Sequence, residues 1–265
     1  MSDEKELVLQ ATEVSIIFGG LCAVSEFSCE LHQGELIGLI GPNGAGKTTL
    51  FNMFSGIYTP TSGQISFWDR NENVHIINKM NPAQLNKLGI ARTFQNIRLF
   101  SNLTVSDNVR IALHNLRTVV PIDILLRTPR FRRDEKMMTE RTLELLQLFK
   151  IDNKKNELAK NLPYGEQRKL EIVRALASNP KLLLLDEPAA GMNPQETEEL
   201  MNMIGFIRKE FHLTILLIEH DMKLVMGICE RIMVLDYGRI IASGKPEDIK
   251  SNPQVIKAYL GSEAV

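Results

Sequence analysis

The stretch "GPNGAGKTT" at residues 41–49 constrains this chain more than any other. It follows the apolar run "ELIGLIG", which reads as a short buried strand, and it leads into "KTTLFNMFSG", which reads as a helix closed by Gly56. Gly41, Gly46, Lys47 and Thr48 fit the spacing G-x-x-x-x-G-K-[ST] in the strand–loop–helix context that the motif needs. The residue types have a chemical reason. Backbone N–H groups can wrap a polyphosphate only if the chain approaches it closely, which glycine permits. A helix beginning near Lys47 turns its positive end toward the same site. Lys47 supplies a mobile charge for the outer phosphates, the Thr48 hydroxyl is placed to ligate Mg²⁺, and Thr49 is expected to bond an inner phosphate. Pro42, Asn43, Gly44 and Ala45 complete the loop. A phosphate loop names a ligand class and leaves the reaction open.

"KLLLLDEP" at 181–188 reads as a second buried strand, ending at Asp186 and Glu187. In a parallel sheet that pair lies beside the phosphate loop. Asp186 is then expected to hold the Mg²⁺ shell, and Glu187 to polarise an attacking water, a poor nucleophile at neutral pH. Apolar strands alternating with helices predict an α/β sheet covered on both faces. "LTILLIEH" at 213–220 supplies another strand, Pro194 to about Glu210 a helix, and "RIMVLDYGRIIASG" a hairpin turning at Tyr237–Gly238. The opening third, with strand-like residues 7–18, "FSCEL" at 27–31, a turn at "TPTSG" and the strand "QISFWD", predicts a partly antiparallel lobe. From about 104 to 180 the pattern turns helical, with "TVSDNVRIAL" and "RDEKMMTERTLELLQLFKI" as helices. Between them, "NLRTVVPIDILLRTPRFRRDEK" reads as a surface insertion with a solvated basic rim, or as a docking surface for a protein or lipid headgroups.

The 265 residues, 44% hydrophobic, suffice for one large domain. A net charge of −1 carries no basic field for nucleic acid. "MSDEKELVLQ" lacks the basic and apolar regions of an export signal, and the longest apolar runs are too short to span a bilayer. Cys22, Cys29 and Cys229 are expected to be reduced, partly buried thiols in a cytosolic protein.

Three further stretches carry a family resemblance: "RTFQNIRLF" with Gln95, "LPYGEQRKLEIVRAL" at 162–176, and "IEH" with His220. Together with the loop and "LLLLDEP", they make the chain similar, over nearly its whole length, to the nucleotide-binding subunit of ABC transporters. The resemblance implies a single P-loop NTPase domain over 1–265: a mainly parallel core, an antiparallel β lobe, a helical subdomain at about 96–180 and a tail at about 244–265. By the same resemblance Gln95 touches Mg²⁺ and the attacking water, His220 contacts the γ-phosphate, and Phe18 stacks on adenine. For Phe18 the other reading is an ordinary core residue. Leu162, Pro163, Tyr164, Gly165, Glu166 and Gln167 stand where the signature L-S-G-G-Q stands, and would close over ATP held by a facing subunit.

Pro163 and Tyr164 replace the usual Ser and Gly, and Glu166 the usual Gln, so this signature offers fewer donors. Asn193, in "PAAGMNP", stands where many relatives have Asp. These departures, with the tail "GKPEDIKSNPQVIKAYLG", resemble one of the two ATPases of branched-chain amino acid importers. That resemblance implies ATP and Mg²⁺, a second ABC ATPase in a heterodimer, two permease subunits and an external substrate-binding protein. The subunit would sit on the inner face of the cytoplasmic membrane. Urea, amides or other polar cargo are the alternative within this class. A non-transport ABC ATPase on nucleic acid or ribosomes, and a small-molecule kinase, are the alternatives outside it.

Overall fold

The computed structural model describes residues 6–114, 123 and 126–262. The chain forms two compact units, residues 1–95 with 181–265, and residues 96–180.

The first unit holds two sheets. One is antiparallel, with strand order β2-β1-β4-β5, built from β1 (Leu7–Phe18), β2 (Leu21–His32), β4 (Ser62–Trp68) and β5 (Val74–Ile76). The turn expected at 59–63 thus gives way to strand at Ser62, and β5 is an addition to the sequence reading. The other sheet has six strands in the order β10-β9-β3-β8-β7-β6: β3 (Leu36–Ile40), β6 (Ile90–Arg92), β7 (Leu182–Asp186), β8 (Thr214–Ile218), β9 (Arg231–Asp236) and β10 (Arg239–Gly244). All neighbours in it run parallel except the β9–β10 hairpin.

β3, β7 and β8 are buried at every position. Covered on both faces, such strands need uninterrupted apolar sequence, which "LIGLI", "LLLLD" and "TILLI" provide. One core runs through the unit, from Val8 and Phe27 through Phe51 and Phe54 to Leu184, Leu216 and Leu235. The register aligns Leu39 with Ile218 and Asp186 with Ile218, so β3, β7 and β8 end at one edge. That edge, where ligands bind in open parallel sheets, receives the loops that follow all three strands.

Helices α1 (Lys47–Phe54), α2 (Pro82–Leu88), α6 (Pro194–Glu210), α7 (Met222–Ile228), α8 (Pro246–Lys250) and α9 (Pro253–Ser262) complete the unit. α1 ends two residues before Gly56. α6 explains Asn193. Its side chain caps the helix, accepting from the N–H groups of Gln195 and Glu196, while Glu196 closes a capping box onto the Asn193 N–H. An amide oxygen serves there as well as a carboxylate.

The second unit contains α3 (Val105–Leu113), α4 (Pro129–Leu148) and α5 (Tyr164–Ala177), with α3 against both others. α4 starts at Pro129, capped by Thr128, ahead of the sequence expectation, because proline suits a first turn. Part of the stretch read as a basic insertion, 115–122 and 124–125, lies outside the described residues, and its C-terminal end is taken up by α4. Among the described residues no helix is long and apolar enough to cross a membrane. Cys229 is buried, Cys29 half-buried and Cys22 exposed, and none is in a disulfide. Burial pushes the Cys229 thiol up to about 12.

Candidate functional site

The loop between β3 and α1 is built on close backbone contact. A Cβ at Gly41 would lie 2.0 Å from the Leu235 carbonyl oxygen, and one at Gly46 2.6 Å from that of Ala23. Gly46 also caps α1 in the left-handed region, at φ 104°, with no side chain bonded to the helix's first N–H groups. The Gly238 N–H donates to the Ala45 carbonyl at 2.9 Å, and the Ser25 N–H to the Gly238 carbonyl at 2.9 Å. The β9–β10 turn and β2 therefore hold the loop from behind. α9 adds the Tyr259 phenol, raised by its burial and bonded to the Gly41 backbone.

Lys47 folds back over the loop it follows. Its Nζ donates to the carbonyl oxygens of Gly41 at 2.6 Å and Pro42 at 2.9 Å. Burial lowers the Lys47 ammonium below lysine's ordinary value, and the charge of Glu187 opposes that shift. Residues Asn43 to Thr49 line a cleft of about 500 Å³ with Phe18, Leu21, Cys22, Ala23, Glu187 and Tyr237. Phe18 is 42% exposed and stands edge-on to Tyr58, with ring centroids 5.2 Å apart. It lines the cleft and is no core residue.

Asp186 ends β7 and Glu187 follows it, adjacent in sequence and opposite in setting. Asp186 is buried, and its Oδ2 accepts from Arg92 Nη2 at 2.7 Å. Nη1 of the same guanidinium donates to Asn52 Oδ1 at 2.8 Å and Ser55 Oγ at 2.7 Å, both at the end of α1 or its cap. Arg92 thus joins the strand carrying Asp186 to the helix that starts at Lys47. It lies against the rings of Phe51 and Phe94. Glu187 instead reaches the cleft. It holds a positive φ of 45°, costly for a non-glycine, with its N–H donating to the Ile218 carbonyl at 2.9 Å. Its Oε2 accepts from Gln95 Nε2 at 2.7 Å and lies 3.7 Å from His220 Nδ1.

Phe18, the loop, Gln95, Asp186, Glu187 and His220 all belong to the first unit. The stretch 162–167 belongs to the second and opens α5 there. Pro163 is the cap residue without a side-chain bond, and Tyr164 is exposed. Glu166 accepts from Lys154 Nζ through both oxygens, at 2.8 and 2.6 Å, and Gln167 Nε2 donates to the Leu162 carbonyl. The Glu166 charge is therefore paired at the helix N-terminus. Beneath it, the buried Arg168–Glu171 pair also takes the Arg98 N–H, on Glu171 Oε1.

Arg92, Glu219 and Tyr259 escaped the sequence reading. Arg92 sits three residues before Gln95 and Glu219 beside His220, but neither spacing signals a partner far along the chain.

A profile described as "ABC transporter" matches residues 24–190. The chain belongs to the ABC transporter family. A second profile, "Branched-chain amino acid ATP-binding cassette transporter", matches the tail, residues 239–265. The ABC cassette is 47% identical over 244 residues to the high-affinity branched-chain amino acid transport ATP-binding protein LivG of Salmonella typhimurium, covering 92% of this chain and 94% of that one. BraF of Pseudomonas aeruginosa, described in the same terms, is 42% identical over 96% and 98% of the two chains. The ABC fold is matched by the crystal structure of the ADP conformation of MJ1267, an ATP-binding cassette of an ABC transporter. That match has a TM-score of 0.81 and 30% identity, over 96% of this chain and 99% of MJ1267.

Proposed function

We propose that the chain is the ATP-hydrolysing subunit of an importer for branched-chain amino acids. The convergence of Gln95 and His220 on the Glu187 carboxylate, beside the glycine loop, carries the hydrolytic half of this reading. The likeness to LivG and the profile over 239–265 support the cargo. Phe18 offers a ring for the adenine face, and residues 41–49 wrap the phosphates. The close approaches at Gly41 and Gly46 suit such a cradle, since any side chain there would collide with backbone. Thr48, Gln95 and Asp186 would hold Mg²⁺, with Asp186 Oδ2 taken by Arg92 and Oδ1 left for the ion. Mg²⁺ is usually bound through one or two carboxylates together with substrate phosphates, and Asp186 supplies such a carboxylate. Bound there, Mg²⁺ neutralises phosphate charge.

Glu187 takes the proton of the attacking water and Gln95 orients that carboxylate. His220, whose Nδ1 lies 3.7 Å from the same Glu187 oxygen, contacts the γ-phosphate. The signature 162–167 closes over nucleotide held by a second ABC ATPase, and its Pro163 and paired Glu166 favour a partner of different sequence. Two permease subunits and an external binding protein complete the complex, on the inner face of the cytoplasmic membrane.

The test is reconstitution of the chain with its co-purifying subunits in vesicles. ATP-dependent uptake of leucine, isoleucine and valine is expected, and uptake of urea or amides instead would overturn the cargo.

A further inference from the structure

Glu219 is a carboxylate buried to 1% exposure in the first unit, and none of the roles above uses it. Burying such a group is costly unless donors surround it. Three backbone N–H groups do so. Oε1 accepts from Ala189 at 2.8 Å, while Oε2 accepts from His220 at 3.0 Å and, more weakly, from Asp221 at 3.4 Å. Ala189 lies in the segment leaving β7, two residues after Glu187, whereas His220 and Asp221 lie in the segment leaving β8. One side chain therefore bridges two loops that share no continuous backbone.

The bridge has a second strand. The Glu187 N–H donates to the Ile218 carbonyl at 2.9 Å, one residue before Glu219. The Glu187 backbone is thus pinned to β8 on one side, and the stretch just after it is pinned to the His220 backbone on the other. A strained φ of 45° at Glu187 persists only where its surroundings over-determine it, and these bonds provide that constraint.

We propose that Glu219 is a positioning residue, which ties the 188–193 segment to the His220 backbone and so sets the imidazole against the Glu187 carboxylate. A displacement of Ala189 then moves His220 with it, so hydrolysis depends on where the 188–193 segment lies. The proposal rests on the roles given above to Glu187 and His220.

Glu219→Gln in the full chain tests it. An amide nitrogen cannot accept, so either Ala189 or His220 loses its acceptor. Turnover is expected to fall by about tenfold or more, with the Kd for a fluorescent ATP analogue held within about twofold, because the groups that wrap phosphate are untouched. In a His220→Ala background the same substitution is expected to cost less than about twofold, since two groups acting as a unit are non-additive. A purely structural carboxylate would lower turnover equally in both backgrounds, and that result, or unchanged turnover in the single variant, overturns the proposal. If Glu219→Gln does not fold, Glu219→Asp, which keeps the charge, takes its place in the same cycle. Glu187→Gln is measured alongside. Normal turnover there removes the underlying catalytic reading, whereas a slow Glu187→Gln beside a fast Glu219→Gln removes this proposal alone.

Discussion

Gln95 donates its side-chain amide to Glu187 Oε2 at 2.7 Å, across 92 residues of sequence. The bond fixes one oxygen of a carboxylate that otherwise faces an open cleft. Gln95→Ala is expected to slow ATP hydrolysis by about 10²-fold, the scale of a misplaced catalytic group, with little change in nucleotide affinity measured without Mg²⁺. Steady-state turnover and an equilibrium nucleotide titration check it together. Gln95→Glu should be slower still, because it sets a second carboxylate against Glu187.

Lys47 spends its donors on the Gly41 and Pro42 carbonyls, within reach of the loop it serves. A charged hydrogen bond contributes about 1.5–3 kcal/mol, so Lys47→Ala is expected to weaken ATP binding by roughly 10- to 100-fold or more. Calorimetric titration measures this directly. An unchanged affinity would remove the phosphate-loop assignment.

Arg92 and Asp186 form a buried ion pair, each side chain 6% exposed. Arg92→Met leaves the Asp186 carboxylate buried and unpaired, and breaking such a pair costs about 3–5 kcal/mol. The urea midpoint should fall accordingly. Arg92→Lys should rescue it poorly, because a point charge cannot reach Asn52, Ser55 and Asp186 together as the planar fork does.

Asp69, at the β4–β5 turn, accepts from His75 at 2.9 Å and from the N–H groups of Asn71 and Asn73. His75 first, then the asparagines, hold its carboxyl well below the usual carboxylate range, against the opposing effect of burial. A depressed folded value contributes stability above the unfolded value of about 4, and that stability is lost as the pH falls through the folded value. The difference in urea midpoint between wild type and Asp69→Asn is therefore expected to shrink as the pH falls below about 4. Urea titrations across that range check it.

Elements with a local signature were readable from the chain. The buried strands "LIGLI", "LLLLD" and "TILLI" are apolar throughout, and the Tyr237–Gly238 turn carries its glycine. β5 is three residues long with Val74 and Ile76 exposed, so it has no burial pattern to read. α2 is a seven-residue helix with one buried side chain, Leu85, and its capping box between Asn81 and Gln84 is its clearest local signal. Phe18 was ambiguous because an aromatic at a strand end suits a core or a cleft equally, and only its exposure separates the two.

By itself the sequence determined the loop chemistry, the acidic strand end and the order of the motifs, because each depends on residue types at short spacing. Tertiary structure decided which of them meet. Parallel pairing of β3, β7 and β8 brings their ends to one edge, and only there do Gln95, Glu187 and His220 come within bonding or near-bonding distance. Arg92, Glu219 and Tyr259 acquire their partners in the same way. Hydrogen bonds act over about 3 Å, so a pairing between residues tens of positions apart exists only once the chain has folded.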